Sequence, residues 1–134
     1  EKVGNGMTTT DYLIDTNILI YHTKGSEKSI DFITNVISHK SFNISVVTKI
    51  EFLGWDKHTI DGFGKCKQLL ESANIYHVDE EIANKAIELK RGMNIKLADA
   101  VIAATAILNN LKIATRNVND FKAIEGLGAT NPFD

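Results

Sequence analysis

The 134-residue chain has one cysteine, Cys66, so no internal disulfide can form and a zinc site built on paired cysteines is excluded. Cys66 reads as a half-buried helix residue, as free cysteines mostly are, and this usage fits a reducing, cytoplasmic setting. The single proline, Pro132, lies near the end, and no repeat, low-complexity tract or linker interrupts the chain. No run is apolar enough to cross a bilayer. The longest, Leu97 to Leu108, falls short of the roughly 20 residues required, and Asp99 interrupts it. There is no secretory signal; Glu1 to Gly6 precede Met7 and are read as a cloning remnant outside the domain. Excess positive charge is also missing. The net charge of −2 argues against a broad nonspecific nucleic-acid coat, though not against a local site. His22, His39, His58 and His77 are scattered without metal-ligand spacing, and Ser, Cys and His form no hydrolase signature. Gly62-Phe-Gly-Lys65 is too short for a phosphate-binding loop, and Gly126-Leu-Gly128 lacks the third glycine of a dinucleotide fingerprint.

What is present suits one globular domain, expected to span residues 7–134: 43% hydrophobic and 24% charged residues, enough for a core without covalent staples. Short apolar runs alternate with helical patterns. Strands are expected at Tyr12–Asp15, Phe42–Ser45, Ile75–Val78 and Lys112–Thr115. Helices are expected over Ile18–Thr23, from Ser26 to Ser38 with Ile30, Ile33 and Ile37 on one face, through Glu51 to Trp55, over Cys66–Ala73, from Asp79 to Arg91 and over Leu97–Asn109. Gly62 and Gly64 weaken any helix before Cys66. Such alternation predicts an α/β fold with a central parallel sheet flanked by helices in three layers, whose ligands bind outside the carboxyl ends of the strands.

The acids are judged by that rule. Asp15 ends the first strand between apolar residues, with Thr16 free to cap the helix that follows. Glu51 has Val47 and Trp55 at i−4 and i+4, and Thr48, three residues before, is positioned to bond its carboxylate. Asp99 stands in the first turn of a helix that is apolar all round and is therefore expected to be buried, where an ionised carboxylate needs a partner or a metal. Asn117 and Asp120 follow the fourth strand on a loop. These side chains converge on one sheet edge, and carboxylates at close range repel one another unless a cation sits among them. All-oxygen donors favour magnesium or manganese over zinc, and such ions suit phosphodiester hydrolysis. From Lys90 to Lys122 six basic residues, Lys90, Arg91, Lys96, Lys112, Arg116 and Lys122, stand against only Asp99 and Asp120, a balance that on charge alone suits a phosphate backbone and an ordinary solvated surface equally.

Four segments in order resemble the motifs of PIN domains: Asp15-Thr16-Asn17 after an apolar strand, Ser45-Val-Val-Thr-Lys-Ile-Glu51-Phe, Lys96-Leu-Ala-Asp99-Ala-Val-Ile-Ala-Ala-Thr, and Ala-Thr-Arg-Asn117-Val-Asn-Asp120-Phe. The resemblance runs from about Tyr12 to the C-terminus, and the compact length is most similar to VapC-type toxins of bacterial toxin–antitoxin pairs. It implies a Rossmann-like fold, a magnesium- or manganese-dependent endoribonuclease, a homodimer and inhibition by a small antitoxin. On the matched positions, Asp15 and Asp99 take the principal metal-ligand places. Glu51 takes the second acidic place, and Thr16 and Thr115 are candidates to position water or phosphate oxygens. Lys96 and Arg116 are candidate contacts to RNA. Many PIN domains carry an acid where Asn117 stands, which leaves Asp120 to supply the fourth charge and bears on a second metal more than on the first. Two other classes stay open: a PIN-fold module that grips RNA or a partner without cutting, and a phosphoryl-transfer enzyme with Asp15 as nucleophile. The latter lacks the second aspartate such enzymes want, since Asn17 holds that position.

Overall fold

The computed structural model describes residues 11–134; Glu1 to Gly6, read above as a remnant, lie outside them. Strand β1 (Tyr12–Ile14) leads to helices α1 (Thr16–His22) and α2 (Glu27–Ser38). Then come β2 (Asn43–Ser45), α3 (Val46–Leu53), α4 (Ile60–Leu69) with a 3-10 turn at Leu70–Ser72, and β3 (Asn74–Tyr76). The remainder is α5 (Glu80–Gly92), α6 (Leu97–Leu108), β4 (Lys112–Ala114), a 3-10 turn at Val118–Asp120 and β5 (Ala129–Thr130). The sheet order is β3-β2-β1-β4-β5 and every pairing is parallel. The chain leaves β1 toward β2 on one side and returns to β4 on the other, so the topology switches beside β1, where open α/β sheets bind ligands.

Alternation along the strands sends their side chains to two layers. Leu13 and Ile113 pack with α5 and α6 residues such as Ile82, Ala86 and Ile102, whereas Ile14, Ile44 and Ala114 pack with Ile18, Ile33, Phe42 and Phe52 on the opposite face. The three-layer α/β expectation therefore holds. Among the described residues, no helix is long and apolar enough to cross a membrane.

Several boundaries differ from the sequence reading. Strand β3 begins at Asn74 and ends at Tyr76, so Val78 is outside it and exposed. Helix α4 begins at Ile60 and runs through both glycines, because Thr59 caps it by accepting the Gly62 N–H at 2.9 Å. In α2 the buried stripe is Ile33 and Val36, while Ile30 in the first turn is 45% exposed. Strand β5 was not foreseen; it is two residues long with half-buried side chains and carries no apolar run to read. Helix α3 ends at Leu53, so Trp55 lies beyond it. A Cβ on Gly54 would come 2.7 Å from the Ile50 carbonyl oxygen, and only glycine permits so close a turn there.

Candidate functional site

Asp15 is the residue immediately after β1 and is also the N-cap of α1, the place the sequence reading offered to Thr16. Its backbone N–H donates to the Ala114 carbonyl at 2.9 Å, tying it to the end of β4. One carboxylate oxygen, Oδ1, accepts the Thr16 N–H at 2.8 Å; the other, Oδ2, accepts the Thr115 hydroxyl at 2.8 Å. The residue is 6% exposed. Thr115 follows β4 and is fully committed. While donating to Asp15, its oxygen accepts the Asn117 N–H at 3.0 Å and the Asn17 side-chain amide at 3.3 Å.

The second acid arrives from the neighbouring layer. Thr16 donates its hydroxyl to Glu51 Oε1 at 2.7 Å, and the Thr16 hydroxyl oxygen lies 3.2 Å from the Thr48 hydroxyl. Thr48 therefore reaches Glu51 through Thr16 rather than directly, because Thr48 is buried while Glu51 projects to the surface from α3. Asp99 stands in the first turn of α6, one helical turn after Lys96. Only Ala100 to Ala106 of α6 are buried; Leu97 is 67% exposed and Asp99 half-buried, so the expectation of a helix covered all round fails at its N-terminal turn. That turn opens onto the sheet edge, which is what leaves Asp99 accessible. Asp120 ends the 3-10 turn after β4 and is exposed, as is Asn117.

Asp15, Glu51, Asp99, Asn117, Asp120 and Lys96 line one cleft of about 600 Å³, together with Thr16. Its electrostatics follow from burial and like charge. Desolvation pushes the Asp15 carboxyl up to about 6; the Thr115 bond opposes this, Asp99 adds to it, the Thr16 amide opposes it, and Glu51 adds to it. Asp99 is also raised, by burial first and then by Asp120, with Lys96 lowering it and Glu51 raising it. The acids thus repel one another across the cleft.

Two of the substrate-contact candidates fall elsewhere. Thr115 is buried behind Asp15 and orients that carboxylate rather than facing the cleft. Arg116 is not among the residues lining the cleft; its guanidinium lies 4.0 Å above the Tyr21 ring, where cation–π attraction holds it, and it lines an adjoining cavity with Asn117 and Asp120. The residues missed by the sequence reading are Asn17, Trp55 and Asp56, which line the cleft. Asn17 was legible in principle, since an amide in the first turn after a strand-end acid faces the same edge; it bonds Thr115 and accepts the Arg116 N–H at 3.1 Å. Trp55 and Asp56 depend on where α3 stops, which the apolar pattern did not mark.

An all-oxygen donor set that includes a buried carboxylate repelled by its neighbours fits a hard divalent cation. Among the described residues, no three acid, histidine or cysteine side chains close into a ready cage.

The chain matches the PIN domain over residues 12–127. It is 32% identical over 120 residues to ribonuclease VapC10 of Mycobacterium tuberculosis, covering 86% of this chain and 89% of that one. Its fold is similar to that of a toxin–antitoxin complex from Klebsiella pneumoniae, with a TM-score of 0.73, 29% identity and coverage of 92% and 99% of the two chains. It is also similar to VapBC2 from Rickettsia felis bound to a DNA fragment from their promoter, with a TM-score of 0.78, 23% identity and coverage of 91% and 98%.

Proposed function

The chain belongs to the PIN-domain family, in its VapC branch, and on that premise we propose that it is a magnesium- or manganese-dependent endoribonuclease serving as the toxin of a toxin–antitoxin pair. The observation that carries this reading is the convergence of Asp15, Glu51, Asp99 and Asp120, from four separate stretches of chain, on one cleft at the topological switch of the sheet. Asp15 and Asp99 would hold the metal, with Glu51 and Asp120 as further oxygen donors. When bound, the ion supplies positive charge that quiets the carboxylates and polarises a phosphodiester for attack by water.

The protein's own groups do the positioning. The Thr115 hydroxyl and Thr16 amide fix both Asp15 oxygens before any ligand arrives, so little reorganisation is left for the reaction. Thr16 holds Glu51, which lines the cleft, through its hydroxyl. Lys96, on the cleft wall beside Asp99, is the cation placed to meet a phosphate oxygen. Asn117 stands at the rim as a neutral amide that can bond substrate without adding to the acid repulsion.

The relatives named as toxin–antitoxin complexes support a protein partner, and the acidity of the cleft supports how it inhibits: a short antitoxin segment lies over the acids with an arginine facing them. We read the free toxin as a cytoplasmic homodimer, on family resemblance. The test is cleavage of a mixed RNA pool by antitoxin-free protein under magnesium or manganese titration. Metal-dependent cutting that disappears in Asp99→Asn supports the nuclease. A folded wild type that cuts no RNA at any metal concentration would instead make the chain a binding module.

A further inference from the structure

Trp55 borders two cavities at once. On one side is the acidic cleft; on the other is an apolar cavity of about 510 Å³ lined also by Phe52, His58 and Leu69. The Gly54 turn that ends α3 delivers the ring to this partition, close after Glu51 in the chain. The ring is then held in place. His58 meets it edge-on with centroids 5.1 Å apart and planes at 85°, and His58 is itself fixed by Nε2 at 2.7 Å from the Phe52 carbonyl and by edge contact with the Phe52 ring. Trp55 is half-buried and lines the cleft together with the acids. A rigid aromatic surface beside a phosphate-handling cleft is the arrangement by which proteins stack unpaired bases, and stacking tolerates any base because every base has a π-face.

We propose that Trp55 is a stacking platform for an unpaired RNA base next to the scissile phosphate. The proposal rests on the ribonuclease reading above. It assigns the metal-binding edge of the cleft to the sugar–phosphate chain and the Trp55 edge to the base, so the segment that binds must be single-stranded and locally unstacked.

Trp55 is the only tryptophan in the chain, so intrinsic emission reports on this one ring. The experiment uses antitoxin-free protein carrying Asp99→Asn to prevent turnover, with magnesium present. A short single-stranded RNA labelled at one end is titrated in, and binding is followed by anisotropy of the label and by tryptophan emission. The expected result is saturable quenching that tracks the anisotropy, with no quenching by a blunt duplex of the same sequence. Trp55→Leu weakens binding by roughly five-fold to a hundred-fold, the equivalent of about 1–3 kcal/mol per stacked base, and Trp55→Phe weakens it less. In the cleaving protein, the same substitutions raise KM more than they lower kcat. Because leucine retains bulk and hydrophobicity, a ring that only partitions two cavities would show no such split. RNA binding with unchanged emission, and equal affinity in Trp55→Leu, would overturn the stacking role while leaving the nuclease intact. Emission that responds to a co-purifying protein but not to bound RNA would overturn it too and assign the ring to the partner's surface. Failure of any RNA to bind or be cut, in folded wild type as well as in Asp99→Asn, would overturn both readings.

Discussion

At one end of the acidic cleft, Asp15 is 6% exposed and both of its oxygens are bonded; at the other, Asp120 and Asn117 stand exposed on a 3-10 turn. Both ends present oxygen to the same space, but only the first is built at a cost. Burial and like charge raise the Asp15 carboxyl to about 6, an arrangement that works against the metal-free fold. The contrast teaches where function was placed. The strand-end acid is held by groups tied into the surrounding network, Thr115 through Asn17 and Asn117 and Thr16 through Glu51, whereas the loop acid is exposed.

Substitutions at the two ends should therefore differ most. Asp15→Ala and Asp99→Asn are expected to lower RNA cleavage by about 10³-fold or more, since a metal's charge stabilisation is worth several kcal/mol at about 1.4 kcal/mol per ten-fold. Single-turnover rates at saturating magnesium measure this, and a loss under ten-fold at Asp15 would remove it from the centre of the account.

The next effect is on stability. Unfolded, Asp15 titrates near 3.8; folded and metal-free, it titrates near 6. Between those values the folded state keeps a proton that the unfolded state has released, so metal-free stability falls as pH rises from about 4 to 6, by about 3 kcal/mol in total. Asp15→Asn removes that penalty and is expected to raise the metal-free Tm at neutral pH and to abolish the rise in Tm expected of the wild type on adding magnesium. Denaturant titrations at pH 4 and pH 7 check the sign; a wild type that gains stability over that interval more than Asp15→Asn does would contradict it.

Smaller still is the loss from the supporting hydroxyls. Thr115→Val and Thr16→Val leave every carboxylate in place but free Asp15 or Glu51 to turn, which is expected to cost roughly ten-fold to a hundred-fold in metal affinity or rate. Asp120→Asn is expected to cost only a few-fold, as exposed charges usually contribute under about 1 kcal/mol, and Arg116→Ala, stacked on Tyr21 outside the cleft, should leave the cleavage rate unchanged. Equal losses at Asp120 and Asp15 would erase the distinction between the two ends.

The part of this that could be read from sequence is the part governed by apolar pattern. Leu13-Ile14, Ile44 and Ile113 mark the inner strands, and Asp15 and Asp99 stand out because carboxylates interrupt runs that otherwise go into the core. What escaped depends on turns and partners. Nothing in a two-residue pair of half-buried side chains announces β5, and a capped, exposed helix tolerates Gly62 and Gly64 once Thr59 starts it. Whether Thr48 or Thr16 holds Glu51 is decided by how α1 packs on α3, a contact between distant parts of the chain. Thr115 and Arg116 are adjacent in sequence, yet the first is buried and the second exposed, because Thr115 is still bonded to the sheet through Thr130 and the chain leaves the sheet after it.

The most direct test of the central claim is a magnesium titration of RNA cleavage by antitoxin-free wild type beside Asp15→Asn and Asp99→Asn. The account predicts cleavage that rises with metal and saturates in the wild type and is absent from both variants. Undiminished cutting by the two folded variants, or by wild type in excess chelator, would contradict it.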